Sequence, residues 1–335
     1  MLIPLKEIRA ARERVSHYLA PTPIVEAESY SDRFGARVMF KLELLQPTRS
    51  FKVRGALNAV SCLSEEQKAH GVVTASGGNH GLGLSYAASR LGVKATVVLP
   101  ETAPQVRADR IMMLGGDVIV YGNDWNAANG KAQELVEAHG YTYVSPFDDQ
   151  DIIAGQGTLG LELVEQLPDV DVVVCSVGGG GLISGIASAI RHCRPDVRVV
   201  GVETLGADCL SQSLKAGELV ELPAFTSIAG SLGTRRSTEL PFSIIREAVE
   251  DIVTVSDKEA MRELLYTLNR EKLLTEPAAS CTMAALAAGR IPDIAGKTVA
   301  VVMCGGNITL DHVLGWLRDF DLGTNPDPVT LDHVV

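Results

Sequence analysis

The chain has 335 residues, of which 46% are hydrophobic. That is enough apolar material for a large buried core and, at about 150 residues per domain, for two domains. A net charge of -11 with no Lys/Arg-rich block leaves no basic field to neutralise phosphates and speaks against nucleic acid as a partner. The six cysteines, at 62, 175, 193, 209, 281 and 304, form no CxxC pair, which argues against a zinc module or a disulfide scaffold and fits a reducing cytoplasm.

The first residues meet Pro4 and charge before any apolar run can develop, so they do not read as a signal peptide. Apolar spacing predicts a helix over residues 4–18, and Pro21 and Pro23 then impose an extended segment before a strand at 38–43. Next comes Ser50-Phe51-Lys52-Val53-Arg54-Gly55-Ala56, a lysine between apolar neighbours where a helix begins. Strands at 71–74, 95–99, 117–121 and 141–144 then alternate with helices at 81–91, 104–114 and 127–139. A second series follows: helix 151–166, strand 171–176, helix 182–191 and strand 197–203. Short β-rich runs separated by helices of about a dozen residues are the signature of parallel α/β sheets, and the second series suggests a second sheet. The uncharged run 172–190 approaches the length of a membrane span, but glycines and serines interrupt it, so it reads as strand, glycine loop and helix. Residues 205–250 lose this regularity and read as loops over a site. Helices at 257–269 and 277–289 and a strand at 298–303 close the pattern, and the stretch after Gly323 reads as a peripheral tail.

Ligands of open α/β sheets bind beyond the carboxyl ends of the strands, so the strand-to-helix turns carry the chemistry. Thr74-Ala75-Ser76-Gly77-Gly78-Asn79-His80-Gly81 leaves backbone N–H groups at a helix start, a seat for a carboxylate or simply an Asn-capped turn. Ser176-Val177-Gly178-Gly179-Gly180-Gly181-Leu182 permits close backbone approach and suits a phosphate. It does not match GxGxxG, and Gly296-Lys297-Thr298 has Ile291 where a Walker A loop needs its first glycine, which favours the phosphate of a small cofactor over that of a nucleotide. Met303-Cys304-Gly305-Gly306-Asn307 ends a core strand with a cysteine that is either an inert hydrophobe or a neutral partner for a ring nitrogen. Lys52 is either a lysine whose stem lies along apolar surface or, if desolvated, a neutral amine fit for Schiff-base chemistry.

These four motifs in this order resemble the serine/threonine dehydratase and serine racemase family, pyridoxal-phosphate enzymes of fold type II, also described as tryptophan-synthase-β-like. The resemblance covers roughly residues 4 to 315. It implies an α/β fold of two open parallel-sheet domains with helices on both faces and the cofactor between them. Residues 1–70 and 148–320 would form the large cofactor-binding domain, 71–147 a small mobile domain, and 321–335 the tail. It implies that Lys52 carries pyridoxal 5'-phosphate as a Schiff base beside Phe51, and that Asn79 hydrogen-bonds the phenolic oxygen. The backbone of Gly178, Gly179, Gly180, Gly181 and Leu182 would hold the phosphate, with Cys304 at the ring nitrogen. A thiol there leaves the nitrogen largely unprotonated and weakens the electron sink, which favours β-elimination. Ser76, Gly77, Asn79 and His80 would hold the substrate carboxylate while Lys52 takes the Cα proton. The expected activity is that of a deaminating dehydratase, turning L-threonine, L-serine or a related 3-hydroxy amino acid into a 2-oxo acid and ammonia. The expected setting is a cytoplasmic homodimer with no nucleic-acid or membrane partner.

Two other readings remain. A serine or aspartate-type racemase needs a second acid/base, and Gly77 stands where the family's racemases carry a serine, although Ser76 is adjacent. A non-catalytic, pyridoxal-phosphate-binding regulatory protein is the alternative of another class, and the presence of Lys52 speaks against it. The family's metal pattern, Glu-x-x-x-Ala-x-Asp, appears as Glu203 and Ala207 with Cys209 in the last place, so the pattern for a mono- or divalent cation is incomplete. Arg235 and Arg236 are candidates to receive an acidic side chain, such as that of 3-hydroxyaspartate, or are ordinary surface arginines.

Overall fold

The computed structural model describes residues 1–324. The chain runs through α1 (Leu5–Ser16), β1 (Ile24–Glu26), α2 (Glu28–Phe34), β2 (Arg37–Lys41), a 3-10 turn at Glu43–Leu45, α3 (Lys52–Cys62) and α4 (Glu65–His70). It continues through β3 (Val72–Ala75), α5 (Asn79–Arg90), β4 (Ala95–Leu99), α6 (Gln105–Met113), β5 (Asp117–Val120), α7 (Trp125–His139) and β6 (Thr142–Tyr143). Next are α8 (Gln150–Gln166), β7 (Val172–Ser176), α9 (Gly181–Cys193), β8 (Arg198–Thr204), α10 (Cys209–Ala216) and α11 (Glu239–Ala248). The last elements are β9 (Asp251–Val255), α12 (Asp257–Arg270), α13 (Pro277–Ala287), β10 (Thr298–Val302) and α14 (Leu310–Asp319).

Two sheets result. One has six strands in the order β1-β2-β10-β7-β8-β9, and the other has four in the order β5-β4-β3-β6. Every pairing is parallel except β1 with β2, whose register sets Ile24 opposite Lys41. The smaller sheet shows why strand sequence and layering agree. Val73, Ala75 and Val98 point one way, onto Ala128, Ala132 and Leu135 of α7. Val97 and Leu99 point the other way, onto Leu82 of α5 and Ala108 and Ile111 of α6. Successive side chains of a strand face opposite sides, so covering both faces requires apolar residues at every position, and these strands are short valine-rich runs for that reason.

The expected elements are present, most with bounds within two residues. Sequence patterning passed over five helices, α2, α4, α10, α11 and α14, and the strand β9. α4 has no buried residue, so it carries no apolar stripe to read, although its Ser64/Gln67 capping box does mark its start. α10 and α11 lie in the irregular stretch 205–250, and Pro241 inside α11 masks it further. Of the expected tail, residues 325–335 lie outside the described residues.

A buried ion cluster underlies α3. Arg54 is fully buried and donates to both oxygens of Glu43 at 2.7 and 2.8 Å and to both of Glu162 at 2.6 and 2.8 Å. Lys41 donates to Glu162 at 2.5 Å and to the Thr22 carbonyl at 2.8 Å. Two cations thus meet two carboxylates, and the forked guanidinium satisfies both bidentately. The cluster joins β2, the 3-10 turn, α3 and α8, and so fixes the helix whose first residue is Lys52.

Candidate active site

Lys52 is placed by a stitch between α3 and the end of β10. Ser50 forms an antiparallel bridge with Gly305, Phe51 N–H donates to the Cys304 carbonyl at 3.0 Å, and Gly306 N–H donates to the Arg49 carbonyl at 3.0 Å. Arg49 itself has a φ of 59°, a left-handed conformation uncommon for a residue with a Cβ. The first turn of α3 therefore lies against the loop that leaves the central strand. A cavity opens there, lined by Phe51, Lys52, Asn79, Ser176, Gly178, Gly179, Gly180, Gly181, Leu182 and Cys304 from the motifs read in sequence. It is completed by Phe147, Ser231, Leu232, Glu276 and Ala278.

The Lys52 amine donates to the Pro146 carbonyl at 2.6 Å and sits 5.1 Å from the Phe51 ring centroid. Burial pushes its pKa down to about 8, against the opposing pull of Cys304 and Glu276. At pH 7 that leaves roughly a tenth of the amine neutral, a share that grows as pH rises. Facing it, the glycine loop leaves β7 and enters α9. Gly180 takes the left-handed φ of 92° that the turn requires. The opening N–H groups of α9 have no acceptor within the helix and point toward the cavity end of the strand. Glycine is also needed for contact, because a Cβ on Gly181 would come 2.9 Å from the Phe147 Cα, and one on Gly178 would come 2.9 Å from the Leu232 Cα.

Cys304 is 2% exposed and accepts from the Ser176 hydroxyl at 3.4 Å. Burial raises its thiol well above the ordinary cysteine range, so it stays a neutral S–H. Asn79, the first residue of α5, is fully engaged. Its Nδ2 donates to Glu276 Oε1 at 2.8 Å and to Ser231 Oγ at 3.2 Å, and its Oδ1 accepts from Asn307 Nδ2 at 2.6 Å.

The remaining candidates lie at the edge of the cavity or away from it. Ser76 Oγ accepts from Gly78 N–H at 3.3 Å, and the Gly77 carbonyl accepts from Arg107 at 3.1 Å. The His80 ring faces the Val144 carbonyl at 2.9 Å. Burial, helped by the charge of Lys52, lowers its pKa to about 3, so the ring is neutral, with Nε2 the donor and Nδ1 a buried atom without a partner. Glu203 accepts from the Leu210 and Ser211 N–H groups at 3.1 and 2.8 Å, capping the start of α10, and Ala207 is buried beside it. Among the described residues no group of three or more His, Cys, Asp or Glu side chains could hold a metal ion. Arg235 is occupied by the Leu222 carbonyl and by Glu221. Among the described residues no helix is long and apolar enough to cross a membrane.

Sequence reasoning did not single out Glu276, Phe147 or Ala278. Ser231 falls in the stretch expected to loop over a site. Glu276 carries a local signal, a carboxylate directly before Pro277 at a helix start, but its contact with Asn79 spans 197 positions.

A family model described as "Pyridoxal-phosphate dependent enzyme" matches residues 15–305. The chain is 39% identical to an L-threonine ammonia-lyase of Geobacter sulfurreducens over 312 residues, 93% of this chain and 77% of that protein. Among solved structures it resembles the processed form of threonine deaminase isoform 2 from Solanum lycopersicum, with a TM-score of 0.90 and 34% identity over 94% of this chain and 86% of that one. It also resembles maize serine racemase, with a TM-score of 0.90 and 29% identity over 95% of this chain and 98% of that one.

Proposed function

This chain belongs to the pyridoxal-phosphate dependent enzymes, and from that membership we propose a deaminating dehydratase that converts L-threonine or a related 3-hydroxy amino acid to a 2-oxo acid and ammonia. The observation that carries this reading is one cavity shared by a partly deprotonated Lys52, a glycine-lined helix start and a neutral Cys304, in a chain that matches an L-threonine ammonia-lyase over nearly its full length.

The residues suit the cofactor. The α9 N-terminus offers N–H groups and a favourable dipole to a phosphate, so Gly178 to Leu182 would hold it. Lys52 offers an amine able to react with a carbonyl, Phe51 and Phe147 wall the space, and the Cys304 thiol would meet the ring nitrogen without giving up its proton. When bound, pyridoxal phosphate supplies the electron-withdrawing ring that makes the Cα proton of an attached amino acid acidic. The chain's own residues then direct the outcome. The turn at Ser76 to His80 holds the substrate carboxylate by backbone N–H groups, since the His80 ring is neutral and turned to Val144. Lys52 takes the Cα proton from its side of the substrate. Gly77 presents no side chain on the other side, so loss of the β-hydroxyl is favoured over return of a proton.

The turn that holds the carboxylate belongs to residues 71–147, and all four strands of the smaller sheet lie in that span. This supports reading 71–147 as a small mobile domain that closes on a large one made of 1–70 and 148–320. A cytoplasmic homodimer completes the reading.

A second substrate deserves a place in the assay. Arg110 and Arg107 of α6 reach the site's edge, at Asn307 and Gly77, and Arg49 lies close enough for its charge to act on Arg110. None of the three forms a salt bridge among the described residues, whereas Arg235 is paired with Glu221, which favours these arginines over Arg235 for an acidic substrate side chain. The test is 2-oxo acid release from L-threonine, L-serine and 3-hydroxyaspartate, with chiral resolution of the recovered substrate. We expect stoichiometric 2-oxo acid and ammonia with little inversion. Inversion without 2-oxo acid would replace the dehydratase with a racemase, and no turnover of any 3-hydroxy amino acid would overturn both.

A further inference from the structure

Glu276 shares the cavity with Lys52 and Cys304, is 3% exposed, and has no part in the chemistry described above. It occupies the N-cap position of α13, yet its side chain makes no capping hydrogen bond. The carboxylate turns away from its own helix instead. It accepts from Asn79 Nδ2 at 2.8 Å and from Asn307 N–H at 3.3 Å, and the Ser231 hydroxyl also bonds to it. Space is kept for this contact: a Cβ on Gly305 would come 2.8 Å from Glu276 Oε1 and 3.2 Å from Asn79 Nδ2.

A carboxylate only accepts, so the Asn79 atom that faces it must be Nδ2. The opposite end of the amide is fixed as well, because Oδ1 accepts from Asn307 Nδ2, and Asn307 Oδ1 accepts from Arg110. The second N–H of Asn79 rests on Ser231 Oγ at 3.2 Å, the longest of the three contacts of the Asn79 amide, and Ser231 is exposed. It is the hydrogen most readily transferred to a new acceptor.

We propose that Glu276 is a positioning residue for the cofactor: by accepting one hydrogen of Asn79 Nδ2 it orients the amide so that the other, now on Ser231, is delivered to the oxygen of the cofactor ring. The inference rests on the reading of this cavity as a pyridoxal-phosphate site. Glutamine cannot replace the carboxylate. Its single acceptor serves either Asn79 or the Asn307 N–H, and its amide nitrogen then faces the other N–H.

The test is a double-mutant cycle read by titrating apoprotein with pyridoxal phosphate and recording the visible band of the bound cofactor. Glu276→Gln is expected to weaken cofactor binding by about tenfold and to shift the band, as loss of a charged hydrogen bond in a buried network does. In an Asn79→Ala background the same change is expected to matter by less than about twofold, because its route is gone. Wild-type binding and an unshifted band in Glu276→Gln, or an equal loss in both backgrounds, would overturn the proposal. If Glu276→Gln does not fold, Gly305→Ala replaces it in the cycle, and wild-type binding by that variant overturns the proposal equally. A wild-type protein that takes up no pyridoxal phosphate would refute the cofactor reading itself, a different result from any of these.

Discussion

Lys52, partly buried, and His80, buried, are two bases of the same neighbourhood, and their surroundings send them to different tasks. Burial leaves Lys52 titrating near 8, within reach of working pH, whereas it takes His80 to about 3, where the ring is neutral under all ordinary conditions. The sign of the Lys52 effect gives a pH dependence. A lowered amine pKa means that the reactive neutral form grows as pH rises through about 8, so the rate of pyridoxal-phosphate uptake by the apoprotein rises over that interval and then levels. Stopped-flow absorbance measures it. A rate independent of pH across that interval would show that the Lys52 proton does not control capture. Both shifts arise mainly from desolvation, which no local pattern in the sequence states. Sequence offered Lys52 between apolar neighbours and left open whether its amine was buried.

At the scale of elements, the site is made by three strand ends that deliver their following turns to one place. β7 brings the glycine loop, β3 the Asn79 turn, and β10 the Cys304 turn to which Phe51 is hydrogen-bonded. Those turns were legible because each breaks a valine-rich run with small residues at a helix start. The strand neighbours were not, since β10, the last strand of the chain, inserts between β2 and β7, and nothing in its own residues says so. Segment 145–147 is the part of the site least visible in sequence. It presses Phe147 on the glycine loop and gives the Pro146 carbonyl to Lys52. Gly181→Ala is therefore expected to push this segment through its backbone, leaving far-UV circular dichroism unchanged but weakening cofactor retention by about tenfold or more, the scale of an overpacked contact. Gly130→Ala is the control, since a methyl group there meets nothing within 4 Å. Equal retention in both variants would remove the glycine loop from the account.

Across the whole molecule, alternation of strand and helix was readable in the chain, while the contacts that tune the site were not. Arg54 shows the reason. It reads as a charged residue of the lysine motif, but it is fully buried between Glu43 and Glu162, partners 11 and 108 positions away. Glu276 and Asn79 repeat the lesson across two sheets. Helix faces and turn chemistry are local and leave a periodic trace, whereas a buried polar partner is chosen by the folded geometry and leaves none. The Arg54 cluster underlies the helix that begins at Lys52, and Glu276 shares the cavity with that amine. The most direct measurement is therefore to reduce the pyridoxal-phosphate-loaded protein with borohydride, digest it, and locate the cofactor by mass spectrometry. The account predicts the added mass on the peptide that contains Lys52 and its absence from Lys52→Ala, and a cofactor fixed on another lysine, or on none, would contradict it.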